Sequence, residues 1–115
     1  MLFRSAIIDT GIDKTHPFFT GKVLAEACYS SPIPGGTSLC PNGAAQQIGP
    51  GAAAQCSETN LGCWHGTHVA GIAAGRYGVL NASTGGIAPD AGVIDRKSTR
   101  LNSSHPRLSR MPSSA

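Results

Sequence analysis

Hydrophobic residues along this chain gather in three short stretches, separated by long polar or glycine-rich runs. The first is Ala6-Ile7-Ile8, followed at once by Asp9 and then by Gly11. A continuous apolar run containing β-branched residues predicts a buried strand of the parallel-sheet kind. The strand should end near Asp9, with Gly11 free to take a turn conformation closed to other residues. KTHPFF (14–19) then reads as a loop carrying Pro17. From 28 to 62, Gly, Pro, Ser, Asn, Ala and Gln dominate, and no period of 2 or 3.6 persists. That composition predicts a long irregular excursion, of a length usually functional or cross-linked. The second stretch, GTHVAGIAAG (66–75), places Val69, Ile72 and Ala73 at helical spacing. Gly71 inside it weakens a helix by roughly 1 kcal/mol relative to alanine. A helix built with Gly66, Ala70, Gly71 and Ala74 on one face is suited to pressing its backbone against a sheet. A turn then leads to the third stretch, Ala91 to Ile94, a second strand. Strand, loop, helix, strand predicts the α/β class: a parallel sheet with flanking helices, incomplete at this length.

At 115 residues the chain is one domain at most. Its net charge of +3 is misplaced as a clue to partners. Residues 1–94 hold four Lys or Arg against five Asp or Glu, a balance of −1; residues 95–115 hold five against one, a balance of +4. The basicity belongs to the tail, and it gives no ground for a nucleic-acid partner. No apolar run approaches the roughly 20 residues of a membrane span, and no basic-then-apolar leader opens the chain. Cysteines stand at 28, 40, 56 and 63, none in a Cys-x-x-Cys pair. An even count in loop sequence points to two disulfides and an oxidising compartment. Of the three possible pairings, the simplest local one is 28–40 with 56–63.

Two segments carry candidate chemistry. Asp9 is a carboxylate at the carboxyl end of a strand, where sites gather in open parallel sheets. His65 and His68 lie at the start of the helix, in CWHGTHVAG (63–71). An ionised Asp that accepts the Nδ1 proton of a histidine fixes its tautomer and stabilises the imidazolium. The other ring nitrogen is then free as a general base for a hydroxyl nucleophile. The competing readings are a solvated strand-end Asp beside an unrelated His, and a metal site built from His65, His68 and Cys56 or Cys63. A His-x-x-His pair without an acidic partner is poor grammar for zinc or iron.

AIIDTGID (6–13) together with HGTHVAGIAAG (65–75) closely resembles the two N-terminal signatures of the subtilisin-like serine proteases, the subtilases. GGIAPDAGVI (85–94) is similar to the segment leading into the next core strand of that fold, and His16-Pro17 falls where such sequences often carry that pair. The resemblance covers 5–94, apart from the cysteine-containing insertion at 28–63. It implies a subtilisin-like fold with Asp9 and His65 as the triad aspartate and histidine, the two side chains about one hydrogen bond apart. It makes His68 a structural neighbour. It also implies a protein or peptide substrate, no cofactor for the chemistry, structural calcium in the full-length protein, secretion, and a monomer when complete.

The family's nucleophile, a serine in a Gly-Thr-Ser helix start far downstream, has no counterpart in this chain. Gly36-Thr37-Ser38 precedes the histidine, and Pro41, Gly43, Gly49 and Pro50 follow it, so a turn in a cross-linked loop is the better reading. Asn81 and Asn102 sit in no matching motif for the oxyanion role. Residues 95–115 change composition abruptly: six serines, five basic residues and no aromatic. DRKSTRLNSSH (95–105) reads as the translation of a widely used sequencing adapter, so 1–94 is expected to be the protease-like part and 95–115 a disordered, non-native tail. His105 and the tail serines are accordingly no candidates. Two other functions stay open: a non-catalytic, disulfide-tied binding module, and a pseudoprotease whose parent lacks the serine.

Overall fold

The Ala6-Ile7-Ile8 run lies in strand β1, Arg4–Asp9, which ends on the aspartate. The computed structural model describes residues 3–31, 34–56, 62–76 and 85–98. Strand β2 spans Val23–Tyr29, β3 Gln46–Ile48, helix α1 His65–Ala74 and β4 Gly92–Ser98, with a single 3-10 turn at Pro17–Phe19. The sheet order is β1-β4-β2-β3. β4 runs parallel to β1, with Arg4 opposite Gly92 and Asp9 opposite Lys97, and parallel to β2 on its other side. β3 closes the edge antiparallel to β2. Among the described residues the architecture is thus a small mixed sheet with one helix, a partial α/β fold.

Helix α1 packs on β1 and β4. Ala70 and Ala74 meet Ile7, Ile12, Phe19, Ala91 and Val93 in the core. The stripe that faces the sheet is Gly66, Ala70 and Ala74, one residue per turn and all small. Gly71, expected on that face, is not against the sheet: a Cβ there would meet only the tip of Phe19 at 4.0 Å. Ile72 is 58% exposed. The opposite face of the sheet is open, with Ile8 and Leu24 about half exposed, as alternation along the strands requires.

Three features depart from the sequence expectation. β2 was not visible as a strand, because Ala25, Glu26 and Ala27 have weak strand preference and the pairing that holds β2 comes from β4, some 70 residues away in sequence. The irregular excursion contains β3, and its first two residues, Cys28 and Tyr29, belong to β2. The strand expected to stop at Asp95 continues to Ser98, across the proposed boundary at 94. β4 lies between two partners, so its amide and carbonyl groups are paired on both sides. Ladder hydrogen bonds do not read side chains, and the polar sequence is carried along. The expected disordered tail from residue 99 onward falls outside the described residues. Both disulfides follow the local pairing, Cys28–Cys40 and Cys56–Cys63. Among the described residues no helix is long and apolar enough to cross a membrane.

Candidate active site

Asp9 is the last residue of β1, and its side chain is 11% exposed. His65 is the first residue of α1. The fold brings the two together: His65 Nδ1 lies 2.8 Å from Asp9 Oδ1 and 2.9 Å from Oδ2. Oδ1 also accepts a hydrogen bond of 2.7 Å from the Thr10 amide. An ionised carboxylate can only accept, so Nδ1 carries a proton toward it, and in the neutral imidazole Nε2 is then the acceptor. The His65 side chain is 55% exposed. One end of the imidazole is therefore fixed against a largely buried carboxylate while the ring stays open to solvent. Such an arrangement can take a proton from a group presented in front of it and return it.

Two glycines make this approach possible. Gly11 has φ +99°, and a Cβ there would stand 2.3 Å from the Ala53 carbonyl oxygen. A Cβ on Gly66 would stand 2.4 Å from the Gly11 carbonyl oxygen and 3.1 Å from the Thr10 nitrogen. The first turn of α1 thus rests directly on the turn that follows β1, and any side chain at 66 would force the imidazole away from Asp9. Further contacts tie the same region. The Thr10 hydroxyl donates to the Cys63 carbonyl (3.0 Å) and accepts from the Gly66 amide (2.9 Å). The Asp13 amide donates to Thr67 Oγ1, which donates to Gln55 Oε1. The Cys56–Cys63 bridge closes the loop that enters the helix. Sequence reasoning found Asp9, His65 and both glycines. It did not single out Thr10 and Thr67, which lie inside the two motifs, nor Gln55, which lies in the insertion and carries no local signal.

Other candidates fall elsewhere. His68 is exposed and tilts beside the Trp64 ring, with centroids 6.1 Å apart. Both line an aromatic groove of about 460 Å³ with His16, Phe18 and Ile72, and neither Asp9 nor His65 opens onto it. Cys56 and Cys63 are bonded to each other, so their sulfurs are not offered as thiolates to His65 and His68. The Ser38 hydroxyl donates to the Ala44 carbonyl and accepts from the Cys40 amide, which makes it a turn-forming residue of the Cys28–Cys40 loop. Asn81, Asn102 and His105 lie outside the described residues. Among those described, no three acidic, histidine or cysteine side chains gather into a metal-holding group.

On the sheet face that carries Asp9, β4 places Asp95 and Lys97, 1% and 4% exposed. Asp95 Oδ2 accepts from the Ile12 amide at 3.0 Å, while Oδ1 is buried without a hydrogen-bond partner among the described residues. Burial pushes the Asp95 carboxyl up to about 7; the nearby Glu26 adds to this, and the Ile12 hydrogen bond, Lys97 and Lys14 oppose it. Burial also lowers the Lys97 ammonium, with Asp95 partly offsetting the effect. Lys97 Nζ donates to the Ala54 carbonyl.

A model of the subtilase family matches residues 6–109. Thermitase of Thermoactinomyces vulgaris is 37% identical over 93 residues, covering 79% of this chain and 24% of thermitase. The chain therefore spans about a quarter of that relative's length. No solved structure matches the chain significantly. A family match over most of the chain, joined to the strand-end aspartate and helix-start histidine in contact, places this protein in the subtilase family of serine peptidases.

Proposed function

We propose that this chain is the N-terminal catalytic segment of a secreted serine endopeptidase, in which Asp9 and His65 work with a serine supplied by the rest of the parent protein. The observation that carries this reading is the Asp9–His65 bond through Nδ1 on a ring that is 55% exposed. As the serine attacks the peptide carbonyl, His65 Nε2 takes its proton. The imidazolium then gives that proton to the leaving amine, and water repeats the cycle on the acyl-enzyme. Asp9 stays ionised and opposes the developing positive charge. The chemistry needs no cofactor, and the substrate is a protein or peptide chain. The two disulfides support an oxidising, extracellular destination. The test is labelling of the full-length parent by a fluorophosphonate, which phosphonylates activated serines. The parent should be labelled and should hydrolyse a peptide substrate, whereas the 115-residue chain should do neither. A parent that folds but shows no labelling and no hydrolysis would sink this reading in favour of a pseudoprotease or a binding module.

We further propose that residues 95–115 are adapter-encoded and replace the native continuation. DRKSTRLNSSH (95–105) reads as a translated sequencing adapter. Its first residues put the charged side chains of Asp95 and Lys97 on the buried face of β4, where Lys and Asp are rarely found. Genomic DNA of the source across codons 90–115 decides it. Apolar codons after Ile94 are expected; a genomic copy of the DRKSTRLNSSH codons would refute it.

A further inference from the structure

We infer that Thr10 is a positioning residue for the Asp9–His65 pair, a role that rests on the protease reading above. Thr10 directly follows Asp9 and is 8% exposed. Its amide donates to the Asp9 carboxylate at 2.7 Å. Its hydroxyl reaches across to the helix, donating to the Cys63 carbonyl and accepting from the Gly66 amide. Those two backbone groups flank His65 on either side in sequence. One residue therefore grips the carboxylate through its main chain and, through its side chain, the Cys63 carbonyl and Gly66 amide that bracket the histidine.

The local chemistry explains why such a grip is needed. The first amides of a helix lack partners within it, and a capping side chain usually supplies one. Here the N-cap residue is Trp64, which makes no side-chain cap hydrogen bond. The Gly66 amide is instead satisfied by a hydroxyl from a different element, the end of β1. A cap that comes from the neighbouring strand sets not only where the helix begins but how far its first residue stands from that strand. Threonine suits the task, because β-branching restricts χ1 and the buried hydroxyl has little freedom to swing away. Both hydrogen bonds use the hydroxyl, so a valine of nearly the same shape removes the grip and leaves the packing.

The experiment compares Thr10→Val and Thr10→Ser in the full-length parent. T10V should lower kcat by about tenfold to a hundredfold, the loss typical of a catalytic group misplaced by about 1 Å, with KM unchanged. T10S retains the hydroxyl and should keep kcat close to wild type. A T10V enzyme with wild-type kcat, or a T10S enzyme as impaired as T10V, overturns the inference. A second measurement holds even where T10V does not fold. In wild-type protein the Thr10 hydroxyl proton should be slow enough in exchange to be seen by NMR, with a cross-peak to the Gly66 amide; its absence also overturns the inference. Failure of the protease reading is separate, because it appears as an inactive, unlabelled wild-type parent.

Discussion

Asp9→Asn in the full-length parent should reduce kcat about 10⁴-fold while leaving KM and the fold nearly unchanged. The asparagine has almost the same volume, so the 11% exposed site at the end of β1 stays filled. What changes is the hydrogen-bonding polarity. Asp9 accepts at both oxygens, from His65 Nδ1 and from the Thr10 amide. An asparagine keeps one acceptor and turns the other position into a donor. The Thr10 amide is fixed by the backbone and claims the remaining oxygen. The new NH₂ group then faces His65 Nδ1, which can meet it only as an acceptor. The ring proton moves to Nε2, and the base is lost where the serine needs it. Steady-state kinetics on a peptide substrate measure the loss. A variant within tenfold of wild-type kcat, or one whose loss lies in KM alone, would contradict the role assigned to Asp9.

The same local chemistry explains why the site could be read from the sequence when much of the sheet could not. Asp9 and His65 sit where backbone meets backbone. At Gly11 and Gly66 no side chain fits, and that requirement leaves a run of small residues around each of the two candidate groups. The helix was visible for the same reason, although its buried stripe is Gly66, Ala70 and Ala74 and not the larger residues whose spacing announced it. Ile72 sits at a helical position yet is exposed, since none of the described residues covers that face. β2 left no comparable mark. Glu26 is buried there because Lys14 Nζ and the Gly51 amide satisfy its carboxylate, a long-range arrangement that no periodicity reveals. The disulfides were legible through proximity, as each closes a loop between cysteines 12 or 7 positions apart. The continuation of β4 through Asp95 and Lys97 was not, because its cause is pairing with two neighbours and its side chains argue against it.

Those side chains lead to the second large effect, on stability. The chain should be less stable relative to its Asp95→Asn variant as pH rises from about 4 to about 7. In the unfolded chain an aspartate titrates near 3.9, and in the fold Asp95 holds its proton up to about 7. Between those values the folded state binds more protons than the unfolded state, so stability falls as pH rises. The favourable contribution is complete below the unfolded value and gone above the folded one. A shift of about three units corresponds to roughly 4 kcal/mol, close to the whole stability of a small domain. The cause is desolvation: the side chain is buried, and among the described residues one oxygen has a single amide partner and the other has none. Lys97 reduces the cost, but Glu26 faces the same carboxyl and raises it. Asparagine keeps an acceptor for the Ile12 amide and carries no charge at any pH, so it isolates the ionisation of this one group. Urea unfolding of both proteins at pH 4.5 and pH 8 measures the effect. The gap between them should widen in favour of D95N at the higher pH; a constant gap, or one that narrows, would show that Asp95 is not held neutral by burial. A parent protein with apolar residues at these β4 positions has no such group to titrate, and its stability should lack this component of the pH dependence.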